Sequence, residues 1–212
     1  MDPDFWREKW KNNETAFHQA EVNSHLAGNF KHLGVPHGGR VFVPLCGKSL
    51  DMVWLLSQGF HVVGVELSHL AVNQFFSEQE VKYSLTAVEN FELFRAANID
   101  IFVGDFFHLS SGLLGQIDAI YDRAALVALP PDMRLQYASR IMQITDNAPQ
   151  LLITFEYDQQ LLQGPPFSVV EQEVLLHYGK TYRIDQVNWS EVVGGLKGKS
   201  PVTEHTWLLQ RS

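Results

Sequence analysis

Val41-Phe42-Val43-Pro44-Leu45-Cys46-Gly47-Lys48-Ser49, followed by Leu50 to Leu56, Gly59 and Phe60 to Leu67, decides the fold. Val41 to Leu45 is a short continuous apolar run, which predicts a strand buried on both faces. Ser49 is placed to cap a helix over Leu50 to Leu56, and Gly59 to close it in a left-handed conformation that a Cβ would penalise. Phe60 to Leu67 carries Val62, Val63 and Val65 and predicts a second buried strand.

The alternation continues toward the C-terminus. Ser68 can cap a helix bearing Leu70, Ala71, Phe75 and Phe76. Ile99 to Val103, Ile117 to Tyr121 and Leu151 to Phe155 predict three more strands. A helix after Pro131-Asp132 sets Leu135, Ala138, Ile141 and Met142 on one side. Continuous apolar strands alternating with helices require a parallel sheet covered on both faces. In the tail, Thr181 to Val187 and Thr203 to Leu209 predict two strands. The stretch between them, with Gly194, Gly195, Gly198 and Pro201, has no place for a helix, so the pair is expected to be antiparallel. The expected class is α/β: a Rossmann-like, doubly wound, mostly parallel sheet of about seven strands with an antiparallel C-terminal hairpin.

Upstream, Trp6 and Trp10 are four apart and share a helix face. Val22, Leu26, Phe30 and Leu33 form a helical stripe that Gly34, Pro36, Gly38 and Gly39 end. Residues 1–33 therefore read as a helical lid segment and 40–212 as the Rossmann-like core of a single domain, 1–212.

Composition limits the partners. The chain of 212 residues is 45% hydrophobic and 19% charged, enough for a core without disulfide or metal staples. Its net charge of −8 argues against nucleic acid and anionic membranes. Cys46 is the only cysteine, so no intrachain disulfide forms, which fits a reducing compartment. Met1 to Trp6 lacks a basic start followed by an apolar stretch, and no apolar run approaches the ~18 residues of a membrane span. The expectation is a cytoplasmic monomer.

Open α/β sheets bind ligands at the carboxyl ends of their strands. After the first strand, Gly47 allows close backbone approach, but the loop is neither G-x-G-x-x-G nor a P-loop, since Phe42 holds the position of the required upstream glycine. Glu66 ends the second strand about 20 residues on, where a carboxylate can accept from both ribose hydroxyls. The pairing implies a nucleoside-containing cofactor; NAD stays possible, although a cofactor without phosphates fits the poor loop better. Gly104-Asp105-Phe106-Phe107 offers an acid and aromatic rings for an adenine edge and face. Asp122-Arg123 breaks into an apolar run at the end of the fourth strand, and Arg123 can clamp a carboxylate through two parallel bonds.

Plainer roles stand beside these. Glu66 can be a solvated strand end, Asp122-Arg123 a structural ion pair, and Asp105 a loop cap. Cys46 reads as a small buried hydrophobe and Lys48 as a solvated loop charge. Trp6, Trp10 and Phe17 can be core aromatics. His18, His25 and His32 recur every seven residues and read as a solvated stripe on one helix face; no acid or cysteine pattern completes a metal site.

Several blocks resemble, in order and spacing, the thiopurine S-methyltransferase family. They are Trp6-Arg7-Glu8-Lys9-Trp10 with Thr15-Ala16-Phe17-His18, Val43 to Ser49, Val63 to Ser68, Tyr121 to Ala128, Glu156-Tyr157-Asp158 and Gly164 to Val169. Gly104 to Phe107 is similar to the bacterial version. The resemblance implies S-adenosylmethionine as methyl donor, no metal, and in-line transfer to sulfur of small aromatic or heterocyclic thiols. It implies cofactor contacts at Trp10, Leu45, Glu66 and Arg123, with Phe17 near the methyl acceptor. On this reading Phe167 walls the acceptor pocket beside Phe17, Asp105 adds to the cofactor site, and Asp122 is the candidate assistant in proton removal. Other readings stay open: a selenium or tellurium acceptor, a non-catalytic adenosyl-ligand binder, and a nicotinamide-dependent oxidoreductase.

Overall fold

The computed structural model describes residues 3–15, 18–199 and 201–211. Its helices are α1 (Pro3–Lys11), α2 (Ser24–Asn29), α3 (Leu50–Ser57), α4 (His69–Glu78), α5 (Ser111–Leu114), α6 (Pro131–Ile144) and α7 (Glu171–Tyr178). Its strands are β1 (Arg40–Pro44), β2 (His61–Glu66), β3 (Ser84–Val88), β4 (Phe91–Ala96), β5 (Ile99–Val103), β6 (Ala119–Arg123), β7 (Gln150–Glu156), β8 (Tyr182–Glu191) and β9 (Thr203–Arg211). The fold is mixed α/β with parallel strands and an antiparallel C-terminal pair, as the alternation predicts. The chain clusters into two compact units, residues 1–23 with 35–118 and residues 24–34 with 119–212.

In the first unit, β1, α3 and β2 form the expected strand–helix–strand. Ser49 Oγ accepts from the Asp51 N–H at 3.2 Å, and Gly59 follows the helix at φ +83°. Ser68 caps α4 through the Ala71 N–H. β1 runs parallel to β2 with Val43 opposite Gly64, and β2 parallel to β5 with Glu66 opposite Val103. All of Val62, Val63, Val65, Ile101 and Phe102 are buried, as strands covered on both faces must be.

This half also holds a hairpin that the apolar-run criterion passes over. β3 pairs antiparallel with β4, and β4 antiparallel with β5, giving the order β3-β4-β5-β2-β1. β3 is almost wholly exposed, while β4 buries Phe91, Leu93 and Phe94 and leaves Glu92 and Arg95 in water. A one-sided pair needs no continuous apolar run. The described residues thus contain nine strands rather than about seven.

In the second unit, β6 runs parallel to β7, and β9 lies antiparallel between β7 and β8. The tail pairs as expected, with a register shift between Gln186 and Asn188. α6 buries Arg134, Tyr137, Ala138, Ile141 and Ile144, so its inner face is rotated from the one predicted, and Leu135 is 59% exposed. Two polar side chains take that face because each has a partner: Arg134 pairs with Glu173 at 3.1 Å and Tyr137 with Asp122. α7 lacks an apolar stripe that would announce it in the sequence: only Val174 and Tyr178 of it are buried, while Leu175 and Leu176 face solvent.

The histidine stripe is also corrected. α2 begins at Ser24, so Val22 and His18 lie outside it, and His32 sits in the 3-10 turn Phe30–Leu33 that Gly34 closes at φ +66°. His25 is buried, its Nδ1 2.6 Å from Thr206 Oγ1 and its Nε2 2.8 Å from Ser190 Oγ. A core histidine with both ring nitrogens partnered replaces the solvated face. No helix of the described residues is long and apolar enough to cross a membrane.

Candidate functional site

The first unit assembles Trp10, Leu45, Gly47 and Glu66 around the end of β2. Glu66 is buried, and its two oxygens accept from the backbone N–H groups of Gly47 (2.9 Å) and Ser68 (2.8 Å). Burial pushes its carboxyl above the ordinary range, and these backbone donors pull in the opposite direction. A carboxylate has about four lone-pair positions. The two backbone bonds leave capacity for two more donors, which fits a ribose diol.

The loop ahead of it is conformationally unusual. Leu45 sits at φ +47° and Gly47 at φ +52°. A left-handed leucine costs on the order of 1–3 kcal/mol and persists only where its surroundings impose it. Here the Cys46 N–H is held by the Val65 carbonyl at 3.0 Å while the Gly47 N–H reaches Glu66. Trp10 lies over this turn, 4% exposed; a Cβ at Gly47 would come within 2.9 Å of its Cζ2. The glycine therefore serves indole packing as well as turn geometry.

Cys46 is buried against Gly64, where an added Cβ would meet its Sγ at 2.8 Å, so the small-hydrophobe reading holds. Lys48 differs from its expectation: its ammonium pairs with Glu78 at 2.6 Å and its side chain is only 13% exposed. Asp105 caps a 3-10 turn through the Phe107 N–H at 2.9 Å. Phe106 is in the core, stacked on Phe42 with ring centroids 6.5 Å apart. Of the two rings offered for an adenine face, only Phe107 keeps partial exposure.

In the second unit, Asp122 and Arg123 end β6. Asp122 has no exposed surface. Its Oδ2 accepts from Tyr137 Oη at 2.7 Å and from Gln150 Nε2 at 3.4 Å, and its Oδ1 accepts from the Leu126 N–H at 3.1 Å. Burial raises its pKa to about 6, against the pull of those donors. A carboxylate so enclosed fixes the turn that follows β6, where Ala124 adopts φ +60° directly after half-buried Arg123. Phe167 is half-buried; its N–H donates to the Val127 carbonyl at 2.7 Å, and the Arg134 guanidinium lies 5.8 Å from its ring centre. Gly164, at φ +81°, abuts the same ring. Phe17 lies outside the described residues.

Sequence reasoning missed Tyr137 and Gln150, the partners of Asp122. A polar residue inside an otherwise apolar strand, as Gln150 is before Leu151, is the signal that a buried acceptor faces it. Among the described residues no group of three His, Cys, Asp or Glu could hold a metal ion.

Comparison with known structures places this architecture. A Burkholderia thailandensis 1,6-didemethyltoxoflavin-N1-methyltransferase, solved with 1,6-didemethyltoxoflavin and S-adenosylhomocysteine, superposes with a TM-score of 0.68 at 15% identity, over 99% of this chain and 87% of that one. A magnesium protoporphyrin IX methyltransferase from Synechocystis, solved with S-adenosylhomocysteine, gives 0.66 at 15% identity with full coverage of both chains. The fold is thus that of the class I S-adenosylmethionine-dependent methyltransferases. Proteins called thiopurine S-methyltransferase from Teredinibacter turnerae and Xanthobacter autotrophicus are 52% and 48% identical over 212 and 213 residues, spanning 99–100% of every chain. The profile of the family described as Thiopurine S-methyltransferase (TPMT) matches residues 1–212. The chain belongs to the thiopurine S-methyltransferase family.

Proposed function

We propose that this protein uses S-adenosylmethionine to methylate sulfur on small aromatic or heterocyclic thiols. The observation that carries the cofactor is Glu66, a buried carboxylate pinned by two backbone donors beside Gly47 and Trp10, with acceptor capacity left for a ribose diol. Full-length identity to relatives bearing the family name supports the thiol acceptor.

Bound S-adenosylmethionine supplies an electrophilic methyl on a positively charged sulfur. Methyl transfer is in line, so the protein's task is to align donor and acceptor and keep water out. Glu66 holds the ribose, and Leu45 presents its strained backbone to the methionine part. Trp10 covers the cofactor, where an aromatic face favours a sulfonium charge. Asp105 adds to the adenine end. Arg123 orients cofactor or acceptor, with Phe17 and Phe167 walling the acceptor. A heteroaromatic thiol is acidic enough to react as thiolate without a strong base. Asp122 then acts by fixing the turn that bears Arg123 rather than by taking the proton.

Within the N-terminal segment 1–33, α1 serves as the lid, while residues 24–34 pack with the second unit, and the protein works as a cytoplasmic monomer on a small molecule rather than on nucleic acid or membrane.

The test is calorimetric titration with S-adenosylmethionine, followed in the same sample by thiophenol. Binding and S-methylation together are the expected result. Binding without transfer to thiophenol or to a mercaptopyridine sinks the thiol reading, and no binding sinks the cofactor assignment.

A further inference from the structure

The second unit carries a cleft of about 630 Å³ at the carboxyl end of β7, on the sheet face shared with β8 and β9. Neither Asp122, Arg123 nor Phe167 lines it. Glu156, Tyr157, Asp158, Gln186, Trp189 and His205 are among the residues that line it. The volume lies within the range of small-molecule sites, ~300–1,000 Å³.

Trp189 is the anomaly. It stands on β8, the edge strand of this sheet, and is 60% exposed. Edge strands are ordinarily blunted by charges or proline rather than by an indole left in water. In register with it, His205 presents a second ring, backed by Trp207 at 5.7 Å. The His205 imidazole is fixed by Gln186 at 2.9 Å and Glu156 at 3.3 Å. Burial holds its pKa below the ordinary value, so at neutral pH it is an uncharged aromatic wall that repels no cation.

The charge inside is one-sided. Glu156 and Asp158 contribute carboxylates, and no lysine or arginine is among the described residues lining the cleft. The Glu156 side chain is half exposed, and Asp158 Oδ1 accepts only a local N–H, that of Gln160, at 2.9 Å. Flat aromatic faces beside carboxylates suit a flat body carrying positive charge.

We propose that this cleft binds a planar organic cation, of the amidinium, guanidinium or arylammonium class, stacked on the Trp189 indole with its charge toward Glu156 and Asp158. None of the residues assigned to cofactor is among those lining the cleft. The Tyr157 hydroxyl on its wall donates to the Pro166 carbonyl, one residue before Phe167.

Benzamidine is the probe, with benzamide as its neutral and benzoate as its anionic counterpart, titrated into the full chain by calorimetry. The same samples are followed through the indole N–H resonances of the five tryptophans. Benzamidine is expected to saturate one site, to bind at least tenfold tighter than either counterpart, and to shift the resonance that is missing in Trp189→Phe. Trp189→Ala, and separately Glu156→Gln with Asp158→Asn, are each expected to weaken it about fivefold or more. The acid double variant changes only half-exposed groups, so it remains informative if the tryptophan variant is unstable. Absence of saturable binding, equal binding of benzoate, or unchanged affinity in the double variant overturns the proposal. Binding is read without methyl transfer, so the outcome does not depend on the thiol reading.

Discussion

The Tyr137 hydroxyl donates to Asp122 Oδ2 across 2.7 Å, and neither side chain has more than trace contact with water. The bond joins α6 to the end of β6 and holds the carboxylate that also receives the Leu126 N–H. Removing the hydroxyl leaves Oδ2 with only the 3.4 Å contact to Gln150. Tyr137→Phe is expected to lose about 1.5–3 kcal/mol, the range for a hydrogen bond to a charged group. Urea unfolding measures it; a variant as stable as the parent would show that the bond contributes nothing net.

The same carboxylate makes stability depend on pH in a definite sense. Its pKa rises from 3.8 to about 6 on folding. The native state therefore holds this proton more tightly than the unfolded chain, and the favourable contribution is complete below pH ~3.8 and lost as pH rises through ~6. At neutral pH the buried charge costs about 3 kcal/mol. Asp122→Asn carries no charge to bury, so its stability relative to the parent should climb by up to that amount between pH ~4.5 and ~7.5. Parallel pH curves for the two proteins would refute the assignment.

What was legible in the sequence follows from how each element is covered. Val41 to Leu45 and Phe60 to Leu67 are apolar throughout because both of their faces are packed, and Ser49, Gly59 and Ser68 punctuate them by local chemistry. β3, with every residue but Val88 exposed, gives no such signal. The spacing of Glu66 from Gly47 singles it out and the two are joined through the Gly47 N–H, whereas nothing local marks His25 as buried, because its partners, Thr206 and Ser190, are more than 160 residues away. Long-range polar satisfaction is the part of a fold that periodicity cannot report, and Tyr137 with Asp122 is a second instance.

Gly47 and Trp10 should be energetically coupled. Gly47→Ala places a Cβ 2.9 Å from the indole and a side chain at φ +52°. The expected loss is about 1–3 kcal/mol. Part of it is steric and should vanish when Trp10 is truncated, so a double-mutant cycle with Trp10→Ala should return an interaction energy of at least ~0.5 kcal/mol. Strict additivity would mean that the cost is purely that of the left-handed backbone.

Cys46 should be chemically silent in the folded protein. Burial, and then the neighbouring Glu66 charge, push its thiol well above 9.0, and only the thiolate reacts with alkylating agents. Iodoacetamide at mildly alkaline pH should label the native protein on the order of a hundredfold more slowly than the urea-unfolded chain. Rapid native labelling, read by mass, would place Cys46 in a more open loop than the one described.

For Glu66 the proposed cofactor role has to be separated from the structural one that its hydrogen bonds show. Its oxygens already receive the Gly47 and Ser68 N–H groups, so Glu66→Ala would open the loop and lower affinity for either reason. Glu66→Gln is the sharper variant. Its single carbonyl oxygen can retain one of the backbone bonds, while its amide turns a donor toward hydroxyls that need acceptors. S-adenosylhomocysteine, titrated by calorimetry, should bind this variant about 10–100-fold more weakly, the equivalent of ~1.4–2.8 kcal/mol. The control is 2′,3′-dideoxy-S-adenosylhomocysteine, which lacks both ribose hydroxyls and should bind parent and variant alike. If the variant instead weakens both ligands equally, Glu66 acts only by holding the loop after β1, and the ribose must be recognised elsewhere.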